Sequence, residues 1–223
     1  IHALGSTCKD LDRRATVFGK KLYINLRWKR KRSNESVSTF LATAIDLIQR
    51  IVSKNGNNPI ELALSSNELG QDLNALNNFI AACSIQEVAK NIEKLSLGSN
   101  KIKQLPSAIS NLIYLKSLDL GDNKLSHKSL QHLTQLTLLE ELALSDNSLR
   151  ALPLDFSRLQ HLSILDVGDN KLSLEAILAL SSLKNLTYLR VVNNRLTYGQ
   201  LFSVLNQWPL LHTVNASGLK IMR

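Results

Sequence analysis

Leu115-Lys-Ser-Leu118-Asp-Leu120-Gly-Asp-Asn123-Lys-Leu125 decides how this chain is read, because its spacing returns four more times. The other copies are Ile92-Glu-Lys-Leu95-Ser-Leu97-Gly-Ser-Asn100-Lys-Ile102, Leu139-Glu-Glu-Leu142-Ala-Leu144-Ser-Asp-Asn147-Ser-Leu149, Leu162-Ser-Ile-Leu165-Asp-Val167-Gly-Asp-Asn170-Lys-Leu172 and Leu186-Thr-Tyr-Leu189-Arg-Val191-Val-Asn-Asn194-Arg-Leu196. Their asparagines lie 23, 24, 23 and 24 residues apart. Leu118 and Leu120 alternate with Ser117, Asp119 and Gly121, the period of a half-buried strand. A single such strand cannot bury its own apolar face, whereas stacked coils share one continuous core.

The pattern L-x-x-L-x-L-x-x-N-x-L at this period resembles the leucine-rich-repeat family. That resemblance implies an α/β solenoid: a curved parallel β-sheet on the concave side, with helices and 3₁₀ or extended segments on the convex side. It also implies that Asn67, Asn100, Asn123, Asn147, Asn170 and Asn194 form a structural asparagine ladder. An amide offers both a donor and an acceptor to backbone groups that lose partners where each strand turns away. Function in this family is protein recognition without catalysis. The mixture of long helical coils and short Leu-Pro coils is similar to the repeat domains of secreted bacterial effectors.

Working outward, Pro59-Ile-Glu-Leu62-Ala-Leu64-Ser-Ser-Asn67 opens the array, which extends over 59–223. Between Asn67 and Asn100 the period stretches to 33 residues. The added length suits a helix through Leu73, Leu76, Phe79 and Ile80 and a second short one capped from Ser84, similar to the ribonuclease-inhibitor type of coil. Leu105-Pro106 and Leu152-Pro153 argue for extended or 3₁₀ structure. Residues 127–136 and 174–183 read as helical, and Thr197-x-x-Gln200 reads as the cap of a last helix. Leu219 stands in the asparagine position of a final partial coil. Residues 20–58 read as a degenerate N-terminal cap coil, strand then helix, with Lys29 at the asparagine position. Residues 1–19 read as an irregular segment.

Charge is concentrated at one end. Residues 1–58 hold 12 Lys and Arg against 4 Asp and Glu, and the remainder holds 15 against 14. Lys20, Lys21, Arg27, Trp28, Lys29, Arg30, Lys31 and Arg32, interleaved with Tyr23, form a candidate anionic-ligand patch for nucleic acid or an anionic membrane. The alternatives are a solvated loop on the cap coil, or contact with the acidic face of another molecule. No apolar run approaches the ~20 residues that span a bilayer, and no signal peptide is visible.

Catalytic patterns do not emerge. His2, His127, His132, His161 and His212 lack metal-ligand spacing, and there is no phosphate-cradling glycine loop or glycine-flanked nucleophilic serine. No enzyme, metal or cofactor is expected. Cys8 and Cys83 match no metal or redox spacing, and the resembling family's extracellular members usually carry cysteine-rich caps, so an intracellular, cytoplasmic and reducing setting is expected. For a secreted effector this would be the host-cell cytoplasm. Cys8-Lys-Asp10 has the Cys-x-Asp form found in bacterial repeat-linked ubiquitin ligases, without the helical domain that houses it there. A substrate-reading part of such a larger enzyme is a further alternative.

Binding is expected on the concave sheet, where positions three, five, seven and eight of each repeat point outward. They bring together Asp119, Asp122, Glu141, Asp146, Asp166 and Asp169 as one acidic field, near Arg190. Beside it Ile164, Tyr188 and Val192 are expected as an exposed apolar corner. Acid would steer a protein partner with a basic surface while the corner anchors it. Singly, each aspartate also suits turn chemistry.

Overall fold

In the computed structural model the described residues are 11–18, 21–28 and 36–219. Nine strands form one sheet in sequence order. They are β1 (Leu11–Phe18), β2 (Lys21–Trp28), β3 (Ile60–Ala63), β4 (Ile92–Ser96) and β5 (Ser117–Asp119), then β6 (Glu141–Ala143), β7 (Ile164–Asp166), β8 (Tyr188–Arg190) and β9 (Thr213–Asn215). From β2 onward every pair is parallel, and Leu95, Leu118, Leu142, Leu165, Leu189 and Val214 lie side by side. Each coil returns on the other side through a helix or 3₁₀ turn, as the stacking of parallel strands requires.

The return segments follow their local sequence. The cap coil uses α1 (Val37–Asn55), capped by Ser36, and the 33-residue coil uses α2 (Leu73–Cys83), capped by Asp72, and α3 (Gln86–Ala89). The N-cap of α3 is Ile85 and not Ser84, whose hydroxyl instead donates to the carbonyls of Ile80 and Ala108. After Pro106 and Pro153 the chain makes 3₁₀ turns, Ser107–Asn111 and Leu154–Arg158. His127–Gln135 is also 3₁₀, whereas α4 (Leu174–Leu178) and α5 (Tyr198–Phe202) are short α-helices. Thr197 and Gln200 form a reciprocal capping box at α5.

One part of the N-terminal expectation needs correction. Residues 11–18 are not irregular: they form β1, antiparallel to β2 and paired from Leu11↔Trp28 to Phe18↔Lys21. Gly19 and Lys20, between the two strands, lie outside the described residues. The hairpin occupies the side of β2 that would otherwise present an open edge. Residues 1–10, with the Thr7-x-x-Asp10 cap signal and Cys8, lie outside the described residues, as does Lys29.

Neighbouring coils are stitched together by buried amides. Asn100 donates from Nδ2 to the carbonyls of Leu97 in its own coil and Leu64 in the preceding one, both at 2.9 Å. Its Oδ1 accepts the backbone N–H groups of Asn67 at 2.8 Å and Leu69 at 3.3 Å. Asn147 donates to Leu120 and Leu144 and accepts from the N–H of Leu125, and Asn170 repeats this with Leu144, Val167 and Leu149. Asn194 does the same with Val167, Val191 and Leu172.

Two substitutions separate packing from stitching. Leu142→Ala removes a fully enclosed side chain and is expected to cost about 2–5 kcal/mol. Asn147→Ala leaves the buried Leu125 N–H without its acceptor, at about 1–3 kcal/mol, while the carbonyls of Leu120 and Leu144 keep the amides of Asn123 and Asn170. Urea denaturation measures both; a loss under about 0.5 kcal/mol for Asn147→Ala would contradict the stitching role.

Candidate functional site

The eighth position of each coil shows how the sheet face is built. Ser66, Ser99, Asp122, Asp146, Asp169 and Asn193 all have φ between 50° and 61°, the left-handed region, and Gly218 follows at 73°. In that conformation the N–H of each points at the next coil, donating to the carbonyls of Gly98, Gly121, Ser145, Gly168, Val192 and Ser217 at 2.8–3.2 Å. Short polar residues tolerate this backbone best. Position eight therefore explains why Ser, Asp or Asn stands there, but not why three consecutive coils carry aspartate.

The face holds six carboxylates on β5–β7 and the turns after them, against two cations, Lys94 and Arg190. They are not equivalent. Asp119 accepts the Ser96 hydroxyl at 2.8 Å and the Gly121 N–H at 2.9 Å. Glu141 accepts the Ser117 hydroxyl at 2.9 Å, with the Lys94 ammonium 4.0 Å away. Arg190 reaches back across one coil and bridges Asp166 at 3.1 Å and Asp169 at 2.9 Å. Asp122 and Asp146 are exposed and bind no other side chain among the described residues. The acidic field is thus graded: two free carboxylates, two hydrogen-bonded ones, and two that share one guanidinium.

Asp169 titrates below the usual carboxylate range, first because the Asn193 amide donates to it at 2.6 Å and then because Arg190 does. The carboxylate form is therefore locked in well below neutral pH.

Of the apolar corner, Ile164 is exposed (39 %) and Tyr188 half-buried, but Val192 is buried at 3 % and leaves the corner. Its Cγ2 lies over Gly168, 2.8 Å from where a β-carbon on that glycine would stand, and the Arg190 guanidinium lies closer still. The seventh position is covered wherever the next coil sends a side chain across it; Asp119 likewise lies over Gly98. Alternation within one strand does not reveal this, because the cover comes from a residue more than 20 positions away.

Toward β2 the face forms an open groove of about 490 Å³, with Tyr23, Arg27, Ala63, Ser65, Lys94 and Ser96 among its lining residues. The sequence signal for it is the run of small residues at positions five and seven. Of the basic patch, Lys21 lies 3.9 Å from Glu61 and 3.8 Å from Glu93, and Arg27 is exposed. Lys20, Lys29, Arg30, Lys31 and Arg32, and the side chain of Trp28, lie outside what the structure describes.

Burial pushes the Cys83 thiol up to about 12, which holds it protonated and unreactive. The Ser96 hydroxyl donates to Asp119. No three His, Cys, Asp or Glu residues cluster as a metal site among the described residues.

A leucine-rich-repeat family model matches residues 90–149, and a second one matches residues 158–181. No curated protein matches the sequence. Among solved structures, internalin C2 of Listeria monocytogenes superposes with a TM-score of 0.59 at 24% identity, over 89% of this chain and 73% of its own. A second Listeria monocytogenes internalin gives 0.54 at 23%, over 73% and 56%. A leucine-rich-repeat protein of Leptospira interrogans gives 0.49 at 30%, over 57% and 32%. The chain thus spans about a third of the Leptospira protein and just over half of that internalin. Domains of this kind generally serve as protein-interaction modules and are typically non-catalytic. The repeat, the stacked coils and the family-model matches agree, and the chain belongs to the leucine-rich-repeat proteins.

Proposed function

We propose that the sheet face over β5–β8 binds a protein with a basic surface. The observation that carries this is the charge at position eight. Ser66, Ser99 and Asn193 satisfy the left-handed turn without charge, so the turn does not demand the carboxylates of Asp122, Asp146 and Asp169. Two of them are free to meet a cation, and like charges gathered on one face attract an oppositely charged partner over several ångströms. Ile164 and Tyr188 lie next to each other on β7 and β8 and supply the apolar anchor that charge alone lacks. Binding of nucleic acid or membrane through the basic cluster is less favoured, because Lys21 already sits between Glu61 and Glu93.

Asp122→Asn with Asp146→Asn removes the free charge and keeps a residue that Asn193 shows is tolerated at this position. Stability should stay within about 0.5 kcal/mol, while partner capture from lysate should fall sharply and become insensitive to salt. Leu154→Ser, on the helical side and 81 % exposed, serves as the control that leaves capture intact. Equal recovery by the double variant and the wild type would rule out the acidic face.

A pH test follows from Asp169. Its pKa is depressed in the folded state, so the stabilisation it gives is present above the ordinary carboxylate value and lost as pH falls through the depressed one. Asn193→Ala removes the largest cause, and NMR titration of the Asp169 carboxyl should show its midpoint rising toward the ordinary range. An unmoved midpoint would refute the assignment of cause.

A further inference from the structure

Unspent hydrogen-bonding capacity collects in the groove near β2, and most of it is donor. Tyr23, Asn25 and Arg27 line the groove from β2, and their side chains bind no other group among the described residues. Lys94 makes no side-chain hydrogen bond there and stands 4.0 Å from Glu141, the outer limit of an ion pair. Both carboxylates that line the groove are already engaged. Glu61 lies 3.9 Å from the Lys21 ammonium, and Asp119 accepts the Ser96 hydroxyl and the Gly121 N–H. Because Ser96 gives its proton to Asp119, Ser65 is the donor in the 2.9 Å bond between Ser65 and Ser96. Ser117 donates to Glu141. A guanidinium, an ammonium, an amide and a phenol remain to meet a ligand. We propose that this groove binds the carboxylates of an acidic peptide segment belonging to a protein partner.

Strand register sets the fit. Ala63 is paired with Asn25 on β2 and with Ser96 on β4, so the strands that carry the donors stand two spacings apart, ~9.6 Å, with a methyl group between them at that level. Lys94 is level with Tyr23 through Glu61, and Arg27 lies four residues further along β2, or ~13 Å. Successive residues of an extended chain are ~3.3–3.6 Å apart. A segment lying along β3 with acidic residues four positions apart therefore brings one carboxylate to Lys94 and the other to Arg27. The guanidinium takes its carboxylate as a two-pronged, charge-assisted pair, and Asn25 offers its amide to the backbone between. The carboxylates of β5–β7 repel such a segment and hold it toward β2. This site has the opposite charge preference to the acidic face over β5–β8 and stands without it.

Titration of the isotope-labelled protein with acetyl-Glu-Ser-Gly-Ser-Glu-amide, followed by NMR, tests this. At about 10 mM salt, where the Debye length is ~30 Å, the amides of Asn25, Ala63, Ser65 and Ser96 should shift and saturate. The same peptide with glutamine in place of both glutamates should move none of them. Arg27→Gln with Lys94→Gln should weaken binding about tenfold or more. Lys103→Gln with Lys128→Gln removes the same charge from exposed side chains outside the groove and should leave binding unchanged. Circular-dichroism melting confirms that each variant is folded. Absence of the shifts, or shifts that persist undiminished in the Arg27, Lys94 variant, would overturn the inference. So would equal weakening in the Lys103, Lys128 variant, which would reduce the effect to net charge. A single-stranded oligonucleotide that displaces the peptide and depends on Arg27 and Lys94 would also overturn it, by assigning the groove to phosphate. Failure of the peptide leaves the acidic face untouched, since that reading is tested separately by capture with the Asp122→Asn, Asp146→Asn variant.

Discussion

The buried amide that joins each coil to the one before it is the constraint on which the rest of this structure depends. Leucine packing supplies most of the burial energy but sets no direction: aliphatic side chains would pack acceptably with a coil rotated or slipped. The hydrogen bonds of Asn100, Asn123, Asn147, Asn170 and Asn194 are directional. Each binds the carbonyl of its own coil and that of its neighbour, and most return an acceptor to a backbone N–H two residues past the neighbour's asparagine. With strand after strand in one register, the residues at positions three, five and eight become columns, and a property repeated along the sequence becomes a continuous surface.

That surface is shaped by backbone demands first and by charge second. Position eight, held in the left-handed region, carries only Ser, Asp, Asn or Gly among the described coils, and the chain places carboxylate there in three successive coils. Arg190 then offsets part of the charge it borders, holding Asp166 and Asp169 in fixed positions and lying over Gly168, where any β-carbon would displace it. A rigid, partly neutralised end beside two unpaired aspartates gives a face with both an ordered anchor and a long-range field.

Much of this was legible in the sequence, for a physical reason: when coils stack in register, spacing along the chain equals adjacency in space. The strands, the asparagine column, the 3₁₀ turns after Pro106 and Pro153 and the Thr197–Gln200 capping box follow from local pattern. Even the Arg190 bridge lies one period from Asp166 and could have been read that way. What escaped depends on contacts that no local pattern encodes. Val192 occupies an outward position by alternation, yet Gly168 in the preceding coil gives it room to lie down and become buried. In β1 the adjacent Arg13 and Arg14 obscure the alternation of Leu11, Ala15 and Val17, and the Gly19-Lys20 connection was the only hairpin signal. The groove beside Tyr23 arises from the absence of side-chain volume across several coils, which no single repeat displays.

Native-state hydrogen exchange at the amides of Leu125, Leu149 and Leu172 tests the coupling between coils most directly, because each donates to the asparagine of the following coil. If the amide column holds the array in register, these protons exchange only through large-scale unfolding, with protection matching that of the strand amides beside them. Exchange at the rate of exposed loop amides, with the strands still protected, would show coils that stack by packing alone, and the fixed surface described above would not exist.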